Sequence, residues 1–226
     1  MARRPKPARK SAPPSARTRV ERMRKRGHYD RATIDAILDA GLICHVGFIV
    51  HGAPVVIPTL YWREGDHVYL HGSIASQMLD TARTTPVCVT VTHLDALVLT
   101  RSAFHHSVNY RSVVVFGEPE EITDASEKSA RLRTFMEGLM PGRWDRLRPV
   151  KPKELKATRL LRLAIAEASA KIRSGPPADD KADLTWPVWG GLIPIETGVG
   201  LPQPDEHVKD VRLAAPVLRK LRPSGR

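Results

Sequence analysis

The chain has 226 residues, 42% of them hydrophobic, enough for one domain with its own core and too many for a wholly disordered polymer. Its net charge of +12 points first to a nucleic-acid binder, but the charge is unevenly placed. Residues 1–27 carry eleven Lys/Arg against Glu21 alone, a net of +10, and residues 209–226 carry six against Asp210, a net of +5. The remaining 28–208 hold 19 bases and 22 acids, a net of −3.

A slightly acidic globular part is therefore flanked by basic ends. Charge runs mixed with Pro and Ser bury too little apolar surface to order themselves, so residues 1–27 read as a basic, largely flexible arm. An electrostatic arm for DNA, RNA or anionic lipid is the alternative. No aromatic residue interleaves the bases before Tyr29, so the stacking element of single-strand binders is missing and nucleic acid is not the expected partner. No run approaches the 18 consecutive apolar residues of a membrane helix, and the basic N-terminus lacks a signal peptide's apolar stretch. The expectation is a soluble, cytoplasmic protein without a membrane partner. Cys44 and Cys88 lie in apolar runs and read as free thiols.

In chain order, Asp30 is placed to cap a short helix whose Ile34, Ile37 and Leu38 share a face, closed by Gly41. Strand patterns follow over 42–50, 55–62 and 67–71, separated by turn signals at Gly52–Ala53–Pro54 and Glu64–Gly65–Asp66. Met78, Leu79 and Ala82 mark a helix within 74–83, ended before Pro86. Residues 87–91 and 96–100 read as two strands linked around Leu94–Asp95, and 109–120 as one long strand. Asp124 opens the strongest helix pattern, 125–139, with an apolar stripe of Ala130, Leu132, Phe135, Met136 and Leu139. A Pro-punctuated linker over 149–153 leads to strands within 160–166 and 169–173. The domain spans 28–175, and the Pro/Gly-rich 176–226 reads as an extended C-terminal arm with a basic tail.

Six or more short strands with two or three helices indicate a mainly β, antiparallel barrel with peripheral helices. No GxGxxG after a strand, no GxxxxGK[ST] and no HExxH is present, which disfavours dinucleotide-fold, phosphate-loop and common zinc-protease chemistry. Along 105–117 (HHSVNYRSVVVFG), alternation puts Tyr110 and Ser112 on one face and Arg111 with Val113 on the other. An Arg fork beside a hydroxyl suits a phosphate, and a strand-end Arg paired with a nearby carboxylate is the alternative. His71 ends a strand, and Gly72, Ser73, Ser76 and Gln77 lead into a helix start that favours an anion, with a helix cap by Ser73 and a partly exposed His71 as the alternative that local sequence favours. His105–His106 have no third metal ligand at suitable spacing, so they read as loop residues and no metal site is expected.

The order VVIPTLYW, VYLHGSIASQML, NYRSVVVFGEPEEITD resembles the pyridoxamine 5′-phosphate oxidase-like family of flavin-binding split barrels, nearest its nitroimidazole-resistance-type branch. The likeness covers roughly residues 17–195, and EASAKIRSGPPADD and WPVWGGLIP belong to it. It implies an FMN-binding split β-barrel and a homodimer with flavin sites in the interface. By the resemblance, Val56, Ile57, Pro58 and Thr59 edge the flavin ring with backbone groups, and Gly72, Ser73, Ser76 and Gln77 line its ribityl-phosphate side. Arg111 and Ser112 hold the phosphate beside Tyr110, Lys171 and Trp189 come from the second subunit, and His71 sits near the flavin as the catalytic candidate.

The implied activity is an FMN-dependent oxidoreductase, reduced by NAD(P)H and passing hydride to a nitroaromatic or similar small molecule. Another flavin, such as a deazaflavin, is the cofactor alternative. The functional alternatives are a flavin-binding or sensory module without turnover and a heme-utilisation relative whose histidines bind iron. Ala75–Ser76–Gln77 stands where vitamin B6 oxidases carry an Arg–Lys pair, and Arg212–Pro216 lacks the spacing and preceding Trp of their C-terminal substrate motif. Vitamin B6 oxidation is not the expected activity.

Overall fold

The structure, a computed structural model, describes residues 11–200 and 202–207. The basic tail and the Arg212–Pro216 stretch lie outside the described residues. The strands are β1 (Gly27–His28), β2 (Ile43–Val50), β3 (Ala53–Glu64), β4 (His67–Ser73), β5 (Val87–Leu99), β6 (Ser107–Gly117), β7 (Glu120–Glu121), β8 (Thr158–Ala164), β9 (Glu167–Arg173) and β10 (Gly191–Pro194). The helices are α1 (Arg31–Ala40), α2 (Gln77–Ala82), α3 (Ala125–Leu139) and α4 (Pro152–Ala157). All strand pairs are antiparallel, in the order β1-β9-β6-β5-β2-β3-β4-β8-β7, with β10 on the free stretch of β5.

The expected caps form. The carboxylates of Asp30 and Asp124 accept from Thr33 N–H and Glu127 N–H at 2.9 and 2.8 Å. At α2 the cap is Ser76 and not Ser73, the Ser76 hydroxyl accepting from Leu79 N–H. The hydrogen bonds from Thr33 hold the Asp30 carboxyl below its usual range. Residues with alternating parity then turn Cys44, Val46, Tyr61, Val68, Leu70, Val89, Val91, Val113, Val115, Leu161, Leu163 and Ala170 into one barrel core, onto which α1 lays Ile34, Ile37 and Leu38. β6 closes against β8 by packing: a Cβ on Gly117 would stand 2.8 Å from Leu163 Cδ1, so a larger residue there would displace the Leu163 side chain. A second cluster, Trp62, Tyr69, Ile122, Phe135 and Leu160, lies outside the barrel under α3.

Several elements differ from the sequence reading. The two strands expected over 87–100 are one 13-residue strand with a bulge between Leu94 and Ala96. One extra residue, Asp95, interrupts the alternation while the ladder continues on either side. The Pro-punctuated linker over 149–153 runs into α4, which starts at Pro152, where a missing N–H costs nothing. Ala130 is exposed and drops out of the α3 stripe. Lys128 is buried instead, its Nζ donating to the carbonyl oxygens of Thr158 and Leu155, at the end of α4.

The basic N-terminal arm docks from Ser15 onward rather than staying solvated to residue 27. Thr18 is buried, Arg17 pairs with Glu167, and Val20 N–H donates to the Tyr29 hydroxyl at 2.9 Å. Local composition does not show this: Tyr29 is only nine residues from Val20, but Glu167 lies on β9, 150 residues from Arg17. The C-terminal arm likewise contributes β10, and it is anchored where the Asp179 carboxylate accepts from Arg101 N–H at 2.6 Å and Arg101 Nη1 at 2.9 Å. Among the described residues no helix is long and apolar enough to cross a membrane.

Candidate functional site

The barrel is split at one place. β3 pairs with β2 along Ala53–Leu60 but meets β4 only over Tyr61–Glu64, opposite Leu70–His67. Beyond the Tyr61–Leu70 pair the two strands part. The edge of β3 that faces away from β2 over Ala53–Leu60 therefore carries backbone N–H and C=O groups with no ladder partner among the described residues. Val56, Ile57, Pro58 and Thr59 lie on this open stretch, with Val56 60% exposed. On the opposite side of the parting are the end of β4 and the turn into α2, which hold His71, Gly72, Ser73, Ser76 and Gln77. The fold thus sets these nine sequence-predicted residues along the two sides of one gap.

Within that group, roles divide by face. Gly72 faces inward, and a Cβ there would meet Leu79 Cδ1 at 2.9 Å. The hydroxyls of Ser73 and Ser76 are engaged locally, accepting from Ala75 N–H and Leu79 N–H. His71 points the other way, into the second cluster, with ring centroids 4.8 Å from Phe135 and 5.7 Å from Trp62. His71 Nδ1 and Trp62 Nε1 are both buried without a hydrogen-bond partner. Desolvation holds the His71 imidazole below its usual range, so the neutral form prevails near pH 7.

Tyr110, Arg111, Ser112 and Lys171 form a second group on β6 and β9, with β5 and β2 between them and β3. Register pairs Ser112 with Lys171 and Tyr110 with Arg173, so these four share the outer face, and Ser112 Oγ donates to Lys171 O at 3.3 Å. Arg111 is held by Asp95: Nε lies 3.2 and 3.1 Å from the two carboxylate oxygens and Nη2 lies 2.9 Å from Oδ1. This is the carboxylate-paired arrangement, and a phosphate at Arg111 would have to share its fork with Asp95. Trp189, on the arm, is 62% exposed and folds over Gly191, where a Cβ would stand 2.6 Å from the indole.

Two contributors escaped the sequence reading. Asp95 sits in the bulge that was read as a link between strands. Arg159, at the start of β8, donates from Nη1 to Ile74 O at 3.2 Å, which puts a cation against the 73–77 turn, and it pairs with Asp80 and Glu121 at 3.0 and 3.3 Å. Its sequence neighbours read as ordinary strand, and only the β4–β8 pairing brings it there.

A family model described as pyridoxamine 5′-phosphate oxidase matches residues 30–172, well over half of the chain. The chain belongs to this family. The match takes in β3, β4, the turn into α2, and β6, and so both groups of site residues except Trp189. Among solved structures, the flavocytochrome Anf3 from Azotobacter vinelandii is 46% identical, with a TM-score of 0.87 over 90% of this chain and 96% of that one. The FAD- and heme-binding protein from Mycobacterium smegmatis is 33% identical, with a TM-score of 0.81 over 87% and 97%. A protein from Bacteroides thetaiotaomicron assigned to 5-nitroimidazole antibiotic resistance is 22% identical at a TM-score of 0.54 over 65% and 86%, a likeness of fold. None of the curated proteins matches the chain. At 90% and 87% of the chain, these two likenesses cover more of it than the stretch the family model matches.

Proposed function

We propose that this family member binds a flavin along the open edge of β3 and works as a redox protein, with heme as a second prosthetic group. The observation that carries the flavin is the unpaired backbone edge over Ala53–Leu60, facing a turn of hydroxyl and amide groups across the gap. An isoalloxazine ring needs such an arrangement: flat apolar cover, plus backbone donors and acceptors for its polar rim. Val56 and Ile57 supply apolar surface, and the Gly72–Gln77 turn is where the ribityl chain would run. The names of the two relatives with the longer correspondence support the same reading.

The residues also fit heme. His71 is a neutral imidazole walled by Trp62 and Phe135, with a buried nitrogen that lacks a partner. Neutral imidazole is the form that ligates iron, whereas a ring that resists protonation near pH 7 is a poor resting proton donor. His71 is therefore assigned to holding the heme rather than to protonating a substrate. The flavin would supply hydride or electron transfer, and the chain's residues bind, orient and shield it.

The outer face of β2 and β3 carries Ile43, Ile49, Val56 and Leu60, between 39% and 60% exposed. Such a strip on a sheet face calls for cover, and a second copy of the chain is the proposed cover, making a homodimer that brings the Lys171 group of one subunit toward the β3 edge of the other. FMN, reduction by NAD(P)H and a nitroaromatic or similar acceptor remain the specific version to test. The test is the visible spectrum of protein produced with heme and flavin supplied. Flavin bands bleached by a nicotinamide nucleotide, together with a Soret band lost in His71→Ala, are expected. Protein that takes up neither group would overturn the proposal.

A further inference from the structure

The turn between β5 and β6 and the C-terminal arm meet at a cluster that neither cofactor uses. A ring nitrogen of His105 and one carboxylate oxygen each from Asp180 and Asp183 lie within 4.8 Å of one another. His105 belongs to the 3-10 turn Ala103–His105, while Asp180 precedes and Asp183 ends the 3-10 turn Lys181–Asp183, so folding brings together ligands from two distant stretches of chain. Bonds of about 2.0–2.2 Å to nitrogen and oxygen put any two ligands of one ion within roughly 4.4 Å. Closure by a few tenths of an ångström completes the set.

Three features show that the cluster is held in place and lacks compensation. His105 Nδ1 is 2.9 Å from Ser102 Oγ, and with the proton on Nδ1 this bond leaves the Nε2 lone pair to a metal, the usual outer-sphere device for a histidine ligand. Asp180 occupies the N-cap of its turn but makes no capping bond, unlike Asp30 and Asp124 at their helices. Among the described residues neither Asp180 nor Asp183 has an ion pair, although the adjoining Asp179 is fully engaged with Arg101, which fixes the arm at this point. Two uncompensated carboxylates converging on an imidazole repel one another unless a cation joins them.

We propose that His105, Asp180 and Asp183 form a site for a divalent transition-metal ion of the zinc class, which fastens the C-terminal arm to the β5–β6 turn. One nitrogen and two oxygens suit zinc-like ions better than calcium or magnesium, which take oxygen alone. The remaining positions fall to water, since Asp180 is exposed. The role is structural: the arm carries Trp186, Trp189 and β10, and the metal would hold the base of that segment.

The test is calorimetric titration of the full chain, freed of metal by chelator, with Zn²⁺ alone. The wild type is expected to take up one equivalent that His105→Ala and the double variant Asp180→Asn/Asp183→Asn each weaken roughly tenfold or more. Bound Zn²⁺ is also expected to slow tryptic cleavage at Lys181 in the wild type and not in His105→Ala. Far-UV circular dichroism, which these surface substitutions leave unchanged, verifies folding. Isotherms shared by the wild type and both variants, or a site that survives loss of the two acids, would overturn the proposal. Bound flavin or heme enters neither readout, so the outcome stands apart from the cofactor assignment.

Discussion

Arg111 on β6 lies against the carboxylate of Asp95, which occupies the single bulge of β5, so the cation best placed by sequence to hold a phosphate already has an anionic partner. Both side chains are more than a third exposed, which limits what the pair adds to stability to well under about 1 kcal/mol. Its consequence is electrostatic. Asp95→Asn removes a negative charge from beside any phosphate that Arg111 holds. FMN and FAD are expected to bind the variant roughly three- to tenfold more tightly at low salt, with the gain fading as salt rises. Titration of cofactor-free protein by flavin fluorescence measures it, and equal affinities would place the phosphate elsewhere.

His71 links the heme reading to pH. Burial lowers the proton affinity of the folded-state imidazole, so the unfolded chain takes up a proton that the folded one refuses. The stability this residue confers is complete above the ordinary imidazole pKa, near 6.5, and is lost as pH falls through that value toward the lower folded-state one. The slope is at most about 1.4 kcal/mol per pH unit. In cofactor-free protein, the urea midpoint of the wild type is expected to fall more between about pH 7.5 and pH 5 than that of His71→Phe. Parallel declines would show that the ring is not desolvated.

The two cysteines should behave as differently as their faces. Cys44 turns into the barrel core, fully buried, and burial pushes its thiol up to about 12. Cys88 pairs with Gly47 on the outer face and is only half-buried. The thiolate is the reactive form, so an alkylating reagent near pH 8 is expected to label Cys88 alone. Peptide mass spectrometry reads the result, with Cys44 labelled only after denaturation. Equal rates at the two sites would mean that the barrel opens readily.

Val56 tests the subunit contact. At 60% exposure it contributes little to the core of one chain, so Val56→Lys should leave the melting temperature of a lone subunit almost unchanged. In the proposed dimer the same lysine would be buried unpaired, at a cost of several kcal/mol. Size-exclusion chromatography with light scattering is expected to show a dimer for the wild type and a monomer for the variant. A wild type that elutes as a monomer would remove the second subunit from the site.

Much of the barrel was legible from local pattern. Alternation exposed the strands, Asp30 and Asp124 announced their helices, and the HGSIASQ and NYRSVVVFG stretches carried the family likeness, because each depends on neighbours close in sequence. The reading failed where a residue's role depends on a distant partner. Ala130 matched the helical stripe, yet Lys128 took the buried place because the carbonyls at the end of α4 offered its ammonium hydrogen bonds. The arm before residue 27 looked solvated by composition, and its attachment to the barrel rests on Arg17 meeting Glu167, 150 residues away on β9.

By itself, then, the sequence determined the strand content, the helix caps, the barrel class and the family, all of which follow from period, propensity and motif over short stretches. Only tertiary structure decided where β3 and β4 part, that Asp95 neutralises Arg111, and that His105 meets two aspartates some 75 residues away. The physical reason is common to all three. Strand pairing and charge compensation are set by which backbones run side by side, and that relation is not encoded by the residues adjoining each position.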